Sequence, residues 1–242
     1  MNKRTIFAAA IMAAAPVLAQ AGDLKVKWSL SVSAGTALEI SGDVHTAGSG
    51  TVLDLPTAVE ARSYGDIYDP GFLGQASLGY GLSEKAEVFV RGSYYKMSSN
   101  VVAVGNVAGL DLFGQWSDYK EWGGDIGVRY FFNRTSKAKP YLAPSVGFRS
   151  LSENPATFTV PAANVTLADV PFYDSSTVFG AGADLGVVVD LSERVGLGLE
   201  TGLRWYSKPS ALNGLAGTGL ESINDTGSRL SLPVSVSVRF SF

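Results

Sequence analysis

The chain has 242 residues, with 19 Lys and Arg against 22 Asp and Glu, a single His and no Cys. These counts exclude a disulfide scaffold, a thiol nucleophile, a Cys-ligated zinc and a multi-His metal centre. The mild acidity argues against a nucleic-acid partner, which selects a basic face. Charged residues make up 17% of the chain, below the roughly 25% of an average soluble domain.

The first element is a leader. Asn2-Lys3-Arg4 gives a positive start, residues 6–19 are apolar and Ala-rich around Pro16, and Ala19-Gln20-Ala21 is the small-x-small pattern of a signal-peptidase site. The apolar run is too short for a membrane helix, which needs roughly 20 residues. Cleavage is expected after Ala21, leaving residues 22–242 as one domain outside the inner membrane of a Gram-negative bacterium.

Eight segments of period 2 follow. Residues 24–35 put Leu24, Val26, Trp28, Leu30, Val32 and Ala34 on one face, and residues 71–82 do the same with Phe72, Ala76, Leu78 and Tyr80. The next four segments are 86–97 (Val88, Val90, Tyr94), 119–132 (Trp122, Ile126, Val128, Tyr130, Phe132), 139–150 (Leu142, Val146, Phe148) and 177–190 (Phe179, Ala181, Leu185, Val187). The last two are 195–206 (Leu197, Leu199, Leu203, Trp205) and 229–242 (Leu230, Val234, Val236, Val238, Phe240, Phe242). Their length exceeds the usual five or six residues of a soluble strand and suits a tilted bilayer crossing. Lipid cannot hydrogen-bond a backbone, so a sheet in a membrane must close on itself. The predicted fold is all-β: an eight-stranded antiparallel up-and-down transmembrane β-barrel.

The connections alternate short and long. Ser83 to Lys85, Asn133 to Ala138 and Leu191 to Arg194 are short polar turns, whereas the other links run to roughly 20–35 residues, as in barrels with tight periplasmic turns and long surface loops. Leu82-Ser83-Glu84-Lys85 and Leu191-Ser192-Glu193-Arg194 repeat one turn pattern. Oriented this way, the apolar face carries aromatics at both ends. Trp28, Tyr80, Tyr130 and Phe132 fall at the periplasmic end, and Tyr94, Trp122, Phe148 and Trp205 at the outer end. Two membrane interfaces select such belts.

The opposite face carries Glu87, Arg91, Glu121, Asp125, Arg129, Arg149, Asp184, Glu200, Arg204 and Arg239, interleaved with Gly. An eight-stranded lumen is just wide enough for side chains to fill. A salt-bridged plug is expected rather than an open water channel. Pro144 and Pro233 each remove a ladder donor inside a strand, and local bulges are expected there. The first loop, 36–70, is long enough to hide an extra hairpin. Its alternating piece (Leu38, Ile40, Gly42, Val44) lacks aromatics and is placed above the membrane, with ten strands as the alternative.

These residues resemble the small Gram-negative outer-membrane β-barrel family, the OmpA/OmpX-like group, along the whole chain after the leader. The last strand is the most specific part: Val238, Phe240 and the terminal Phe242 look like the family's C-terminal assembly signal. The resemblance implies handling by periplasmic chaperones and the barrel-assembly machinery, and lasting contact with outer-membrane lipid and lipopolysaccharide. An amphipathic edge strand is also physically suited to β-augmentation.

Candidate chemistry is sparse. His45, in a Gly/Ser/Thr-rich segment with no evident Ser or acid partner, reads as a solvated loop residue rather than a catalytic base. Gly180-Ala181-Gly182 has neither the spacing nor the following helix of a phosphate loop. Tyr64 and Tyr68 could stack on a ligand and Asp66 and Asp69 could hold a divalent cation, or the segment is an ordered rim with Arg62 paired to an Asp. The apolar stretches Val101 to Phe113 and Leu151 to Ser176 are either contact surfaces or a cap over the mouth. The residues point to no cofactor, metal or catalytic site. The adopted reading is a non-enzymatic barrel with a structural or surface-interaction role, contacting a surface ligand or a cell through four loops. The runner-up is a narrow channel for small or apolar solutes, and the third reading is a membrane-embedded hydrolase.

Overall fold

The structure, a computed structural model, describes residues 28–133, 135–212 and 214–242. The leader, Ala21 and residues 24–27 of the first predicted strand lie outside the described residues. The elements up to the second barrel strand are β1 (Trp28–Ser41), β2 (Asp43–His45), β3 (Gly48–Val52), β4 (Leu55–Val59), β5 (Arg62–Ser63), the one-turn helix α1 (Tyr64–Ile67) and β6 (Phe72–Gly81). Then come β7 (Ala86–Met97), β8 (Val102–Val107), β9 (Leu110–Trp116), β10 (Tyr119–Phe131), β11 (Ala138–Leu151), β12 (Asn154–Val160), β13 (Val165–Tyr173), β14 (Ser176–Asp190), β15 (Val195–Tyr206) and β16 (Arg229–Ser241).

Eight of these close a barrel in the order β1-β16-β15-β14-β11-β10-β7-β6, with β6 back against β1. Every neighbouring pair is antiparallel. This is the predicted eight-stranded up-and-down barrel. Trp122 and Trp205 point away from the axis, 59% and 44% exposed. The two repeated turns fold identically. Leu82 N–H and Ser83 N–H both donate to Ala86 O, as Leu191 and Ser192 do to Val195 O. The Ser83 and Ser192 hydroxyls each accept from the N–H groups two and three residues on.

The prolines need no bulge. Pro144 pairs with Ala183 across β14, and on its other side the β10–β11 pairing lapses between Gly127/Ser145 and Tyr130/Leu142, then resumes in the same register. Pro233 pairs with Ala37 and lies in a matching lapse between β15 and β16. Each missing N–H faces a local gap in one ladder. The only shift on the β1–β16 seam falls between Glu39 and Ser41.

The long loops are folded. Strands β13-β12-β9-β8-β4-β3 make a six-stranded sheet above the barrel, and β2 and β5 pair beside it. The first loop does hold a hairpin, β3–β4, yet it joins this cap and the barrel stays at eight. One assignment is corrected: Leu38 and Ile40 lie in strand β1 and not in a loop, because the alternation runs on past residue 35. Both are exposed on its outward face; Leu38 pairs with Leu232 of β16, and Ile40 falls at the register shift. The apolar stretches of the second and third loops supply the cap's core, with Val104, Leu112, Trp116, Ala156 and Phe172 all buried.

Candidate functional site

Two interiors lie along the barrel axis. The lower one is ionic. Arg91 donates from Nη1 to Asp184 at 2.8 Å and Glu200 at 3.1 Å, and from Nε to Asp125 at 3.1 Å. Arg149 grips both Asp125 oxygens at 2.8 and 3.0 Å, and Arg204 grips both Asp184 oxygens at 3.0 and 2.8 Å. These two-point forks match the planar guanidinium to a carboxylate. Tyr141 Oη closes the cluster by donating to Glu200 at 2.8 Å.

Towards the periplasm, Glu87 sits between Arg129 and Arg239. Arg129 lies 4.9 Å from the ring centres of both Phe89 and Tyr141, and Arg91 5.4 Å from that of Phe89. Towards the surface, Arg229 pairs with Glu39 at 2.8 Å and with Glu121, and Tyr119 Oη donates to Glu121 at 2.9 Å. Arg149 Nε, 3.8 Å from Glu121, links this tier to the middle one.

Space for these groups comes from glycine on the facing strand. A Cβ at Gly123 would lie 2.5 Å from Arg149 Cδ, one at Gly182 2.8 Å from Arg204 Cγ, and one at Gly202 2.6 Å from an Asp184 oxygen. All ten lumen residues singled out from sequence face this interior and are buried. Glu39 and Arg229 belong to it as well, and so do the inward rings of Phe89, Tyr95, Phe131, Tyr141 and Tyr206. Parity was the available signal. Glu39 continues the Ser29-Ser31-Ser33 face, and Phe89 shares parity with Glu87 and Arg91.

On the outer wall the belt aromatics form edge-to-face pairs, two of them across strands and one, Tyr130 with Phe132, along the end of β10. Trp28 meets Tyr80 edge-on at 4.8 Å, Trp122 meets Phe148 at 6.0 Å, and Tyr130 meets Phe132 at 5.8 Å. Tyr94 sits opposite Trp122 in the ladder and Trp205 near Phe179. In β16, Phe240 is exposed on this side with Val238 in the same row, and Phe242, just past the strand, is exposed as well.

The upper interior is apolar. A partly open cavity of about 220 Å³ is lined by all six cap strands and the fourth loop, including Val59, Leu112, Phe158, Phe172, Leu215 and Ile223. His45 lines it too, and here the sequence reading is corrected: His45 is not solvated but 1% exposed. Its ring stacks on Trp116 with centres 5.4 Å apart, and its Nδ1 lies 3.3 Å from Thr46 O. Burial lowers its pKa to about 4, so the imidazole is neutral near pH 7. It sits in the cap because β2 pairs with β5 and so turns its side chain inward.

The Tyr64 segment is corrected as well. Tyr64 and Tyr68 are buried in an aromatic cluster with Tyr119 and offer no stacking face. Asp66 accepts from the Ser63 backbone and hydroxyl at 2.8 and 2.7 Å, an N-terminal cap on α1 that holds its carboxyl below the usual range. Asp69 accepts from Asn100. Arg62 pairs with Glu60 rather than an Asp and donates to Ala103 O at 2.7 Å.

The family model for the outer membrane protein beta-barrel domain matches residues 5–240. Among solved structures the chain is similar to Neisserial surface protein A (16% identity over 92% of this chain and 100% of that one, TM-score 0.49). It is also similar to the outer membrane protein OprG from Pseudomonas aeruginosa (13% identity, 88% and 95%, TM-score 0.43) and to the outer membrane protease OmpT from Escherichia coli (8% identity, 91% and 99%, TM-score 0.36). No curated protein matches it. Matched by that family model over nearly its whole length, the chain belongs to the outer-membrane protein β-barrel domain family, whose place is the bacterial outer membrane.

Proposed function

We propose that the protein is a non-enzymatic, ion-tight barrel whose work is done at the cell surface, where its cap holds a small apolar molecule. The observation that carries this reading is the stack of ion-paired tiers in the lumen, running from Glu39 and Arg229 through Asp125, Asp184 and Glu200 to Glu87. Among the described residues, six arginines there meet six carboxylates. A solute passing through would have to separate buried ion pairs, each desolvated at a cost of several kcal/mol per ion. A second apolar concavity, with Leu30, Leu78, Val90, Ile126 and Phe148 in its lining, lies on the outward wall where lipid packs; the cap cavity lies apart from that wall, and apolar clefts with few polar groups are the usual form of a small-molecule site.

A hydrolase needs its base beside a nucleophile and an acid. His45 instead has Trp116 and Phe172 as ring neighbours and a backbone carbonyl at Nδ1. For biogenesis we keep the C-terminal strand as the assembly signal read by chaperones and the assembly machinery. β16 forms the closing seam with β1, so before closure both are open edges. Lipid and lipopolysaccharide are then the lasting partners of the belts and the rim, and the leader is removed after Ala21.

Planar-bilayer recording of the refolded protein tests the sealed bore, with a heat-dependent gel shift to show that the barrel has formed. Silence is expected, and stable ion steps from folded protein would overturn it. Calorimetric titration of protein-loaded nanodiscs with ethylbenzene tests the cap. Saturable uptake above that of empty discs is expected, weakened in Val165→Trp, which fills one wall of the cavity. Uptake equal to that of empty discs would sink this part.

A further inference from the structure

The cap cavity has a polar point, and the geometry points to its ligand class: an uncharged hydroxyl compound, a phenol or short alcohol, whose O–H donates to His45 Nε2. The inference rests on the reading of the cap as a small-molecule site and adds the group that the site selects.

Among the described residues, three lining side chains are polar: His45, Thr57 and Thr218. Both threonine hydroxyls already donate to carbonyls of their own segments, Thr57 to Leu55 O and Thr218 to Leu215 O. His45 differs. A carbonyl oxygen only accepts, so Nδ1, facing Thr46 O, carries the proton of the neutral ring. Nε2 is therefore a bare lone pair, and among the described residues it has no hydrogen-bond partner although it is buried. A buried acceptor without a donor is costly and rare. Stacked on the same ring, Trp116 carries a second buried group without a partner, its indole N–H.

A bare acceptor in an apolar site selects among headgroups. An ammonium would bring a charge into the cavity with no carboxylate to meet it there. An ionised carboxylate has no proton to give Nε2. A hydroxyl gives Nε2 its proton, and it enters uncharged. Size sets the body of the ligand: an apolar cavity of about 150 Å³ takes benzene, so one of about 220 Å³ has room for a ring with a short side chain.

His45 is the only His in the chain, so [15N]histidine labelling isolates its ring signals. Labelled protein in nanodiscs is titrated with 4-ethylphenol and with 4-ethylanisole, which has a similar shape but no donor. The phenol is expected to move the Nε2 signal saturably. The anisole is expected to bind roughly fivefold more weakly, the worth of one neutral hydrogen bond, and to leave Nε2 in place. His45→Phe, which keeps an aromatic ring, is expected to bring the two affinities together. Equal affinities in the wild type with an unmoved Nε2 overturn the inference while leaving the apolar site intact. So does an Nε2 signal that is already hydrogen-bonded in the free protein and indifferent to the phenol, the mark of a resident water. Failure of both probes to bind overturns the site and the inference together.

Discussion

Arg149 and Phe172 are both almost fully buried, one in the barrel and one in the cap, and their surroundings share nothing. Arg149 is held by Asp125, Glu121 and Tyr206. Phe172 is ringed by His45, Trp116, Phe158 and Tyr173. Solvent explains the contrast. A barrel strand must be apolar on its lipid side, so an apolar lumen side would make it a continuous apolar run. Charge at every fourth residue breaks that run in β7 (Glu87, Arg91) and in β10 (Glu121, Asp125, Arg129), and it then has to be neutralised inside. The cap never meets lipid hydrocarbon, so it keeps the apolar core of an ordinary soluble sheet.

The sharpest way to break this comparison is to remove one carboxylate from the lumen. Asp184 is wholly buried and holds both Arg91 and Arg204. Asp184→Ala takes the two-point partner from Arg204 and one of three carboxylates from Arg91, leaving the tier with excess buried positive charge, and a loss of about 4 kcal/mol is expected, within the range for a broken buried pair. Urea unfolding in lipid vesicles measures it. A loss under ~1 kcal/mol would mean that water reaches the lumen freely and that its charges were never desolvated.

Phe172→Ala addresses the other interior. Deleting a fully buried ring costs about 4 kcal/mol, here in the cap alone. Protease is expected to cut the second and third loops of the variant while the heat-dependent gel shift of the barrel persists. If barrel and cap fail at one urea concentration, the two interiors form a single cooperative unit and the division drawn between them is wrong.

Acid sharpens the same division. His45 falls from an ordinary pKa of 6.5 to about 4 in the folded cap, chiefly through burial, with Arg62 lowering it further and Thr46 O and Asp43 raising it. Between those values the unfolded segment binds a proton that the folded cap refuses. Cap stability therefore rises with pH through this window and is lost as pH falls from about 6.5 towards 4, by at most about 3 kcal/mol. Protease susceptibility of the loops followed from pH 7 to pH 4 reads this out. His45→Phe should flatten the profile, and an unchanged profile in that variant would assign the acid effect to other groups.

The contrast also explains what the sequence could disclose. The barrel was legible because its strands are ten residues or longer and lipid imposes strict alternation, so parity alone sorted Trp122 from Asp125. It fell short at the ends. Glu39 and Arg229 sit at the margins of their strands, where the pattern dissolves into loop composition. The cap was not legible. Its strands are mostly five to seven residues, and its pairings join different loops, as in β4 with β8 and β9 with β12. Its two-residue hairpin loops, Leu53-Asp54 and Ala108-Gly109, hold both residues at positive φ, a geometry usually announced by Asn-Gly or Asp-Gly. His45 looked solvated because its flanking Gly, Ser and Thr are loop residues, and nothing local announces that β5 turns it inward.

The smallest effect is expected where neither interior is involved. Arg62 and Glu60 form an ion pair on the cap surface, with the Glu60 side chain 68% exposed. Such pairs contribute roughly 0–1 kcal/mol, and Arg62 adds one hydrogen bond to Ala103 O, which water can replace. Arg62→Ala is therefore expected to cost less than ~1 kcal/mol, against several for Arg129→Ala, which removes one of the guanidinium groups that hold Glu87 deep in the bore. The two variants remove the same side chain, so helix propensity, size and formal charge cancel in the comparison. Equal urea midpoints for the pair would say that the lumen solvates its ions as well as bulk water does, and the sealed bore would fall with that result.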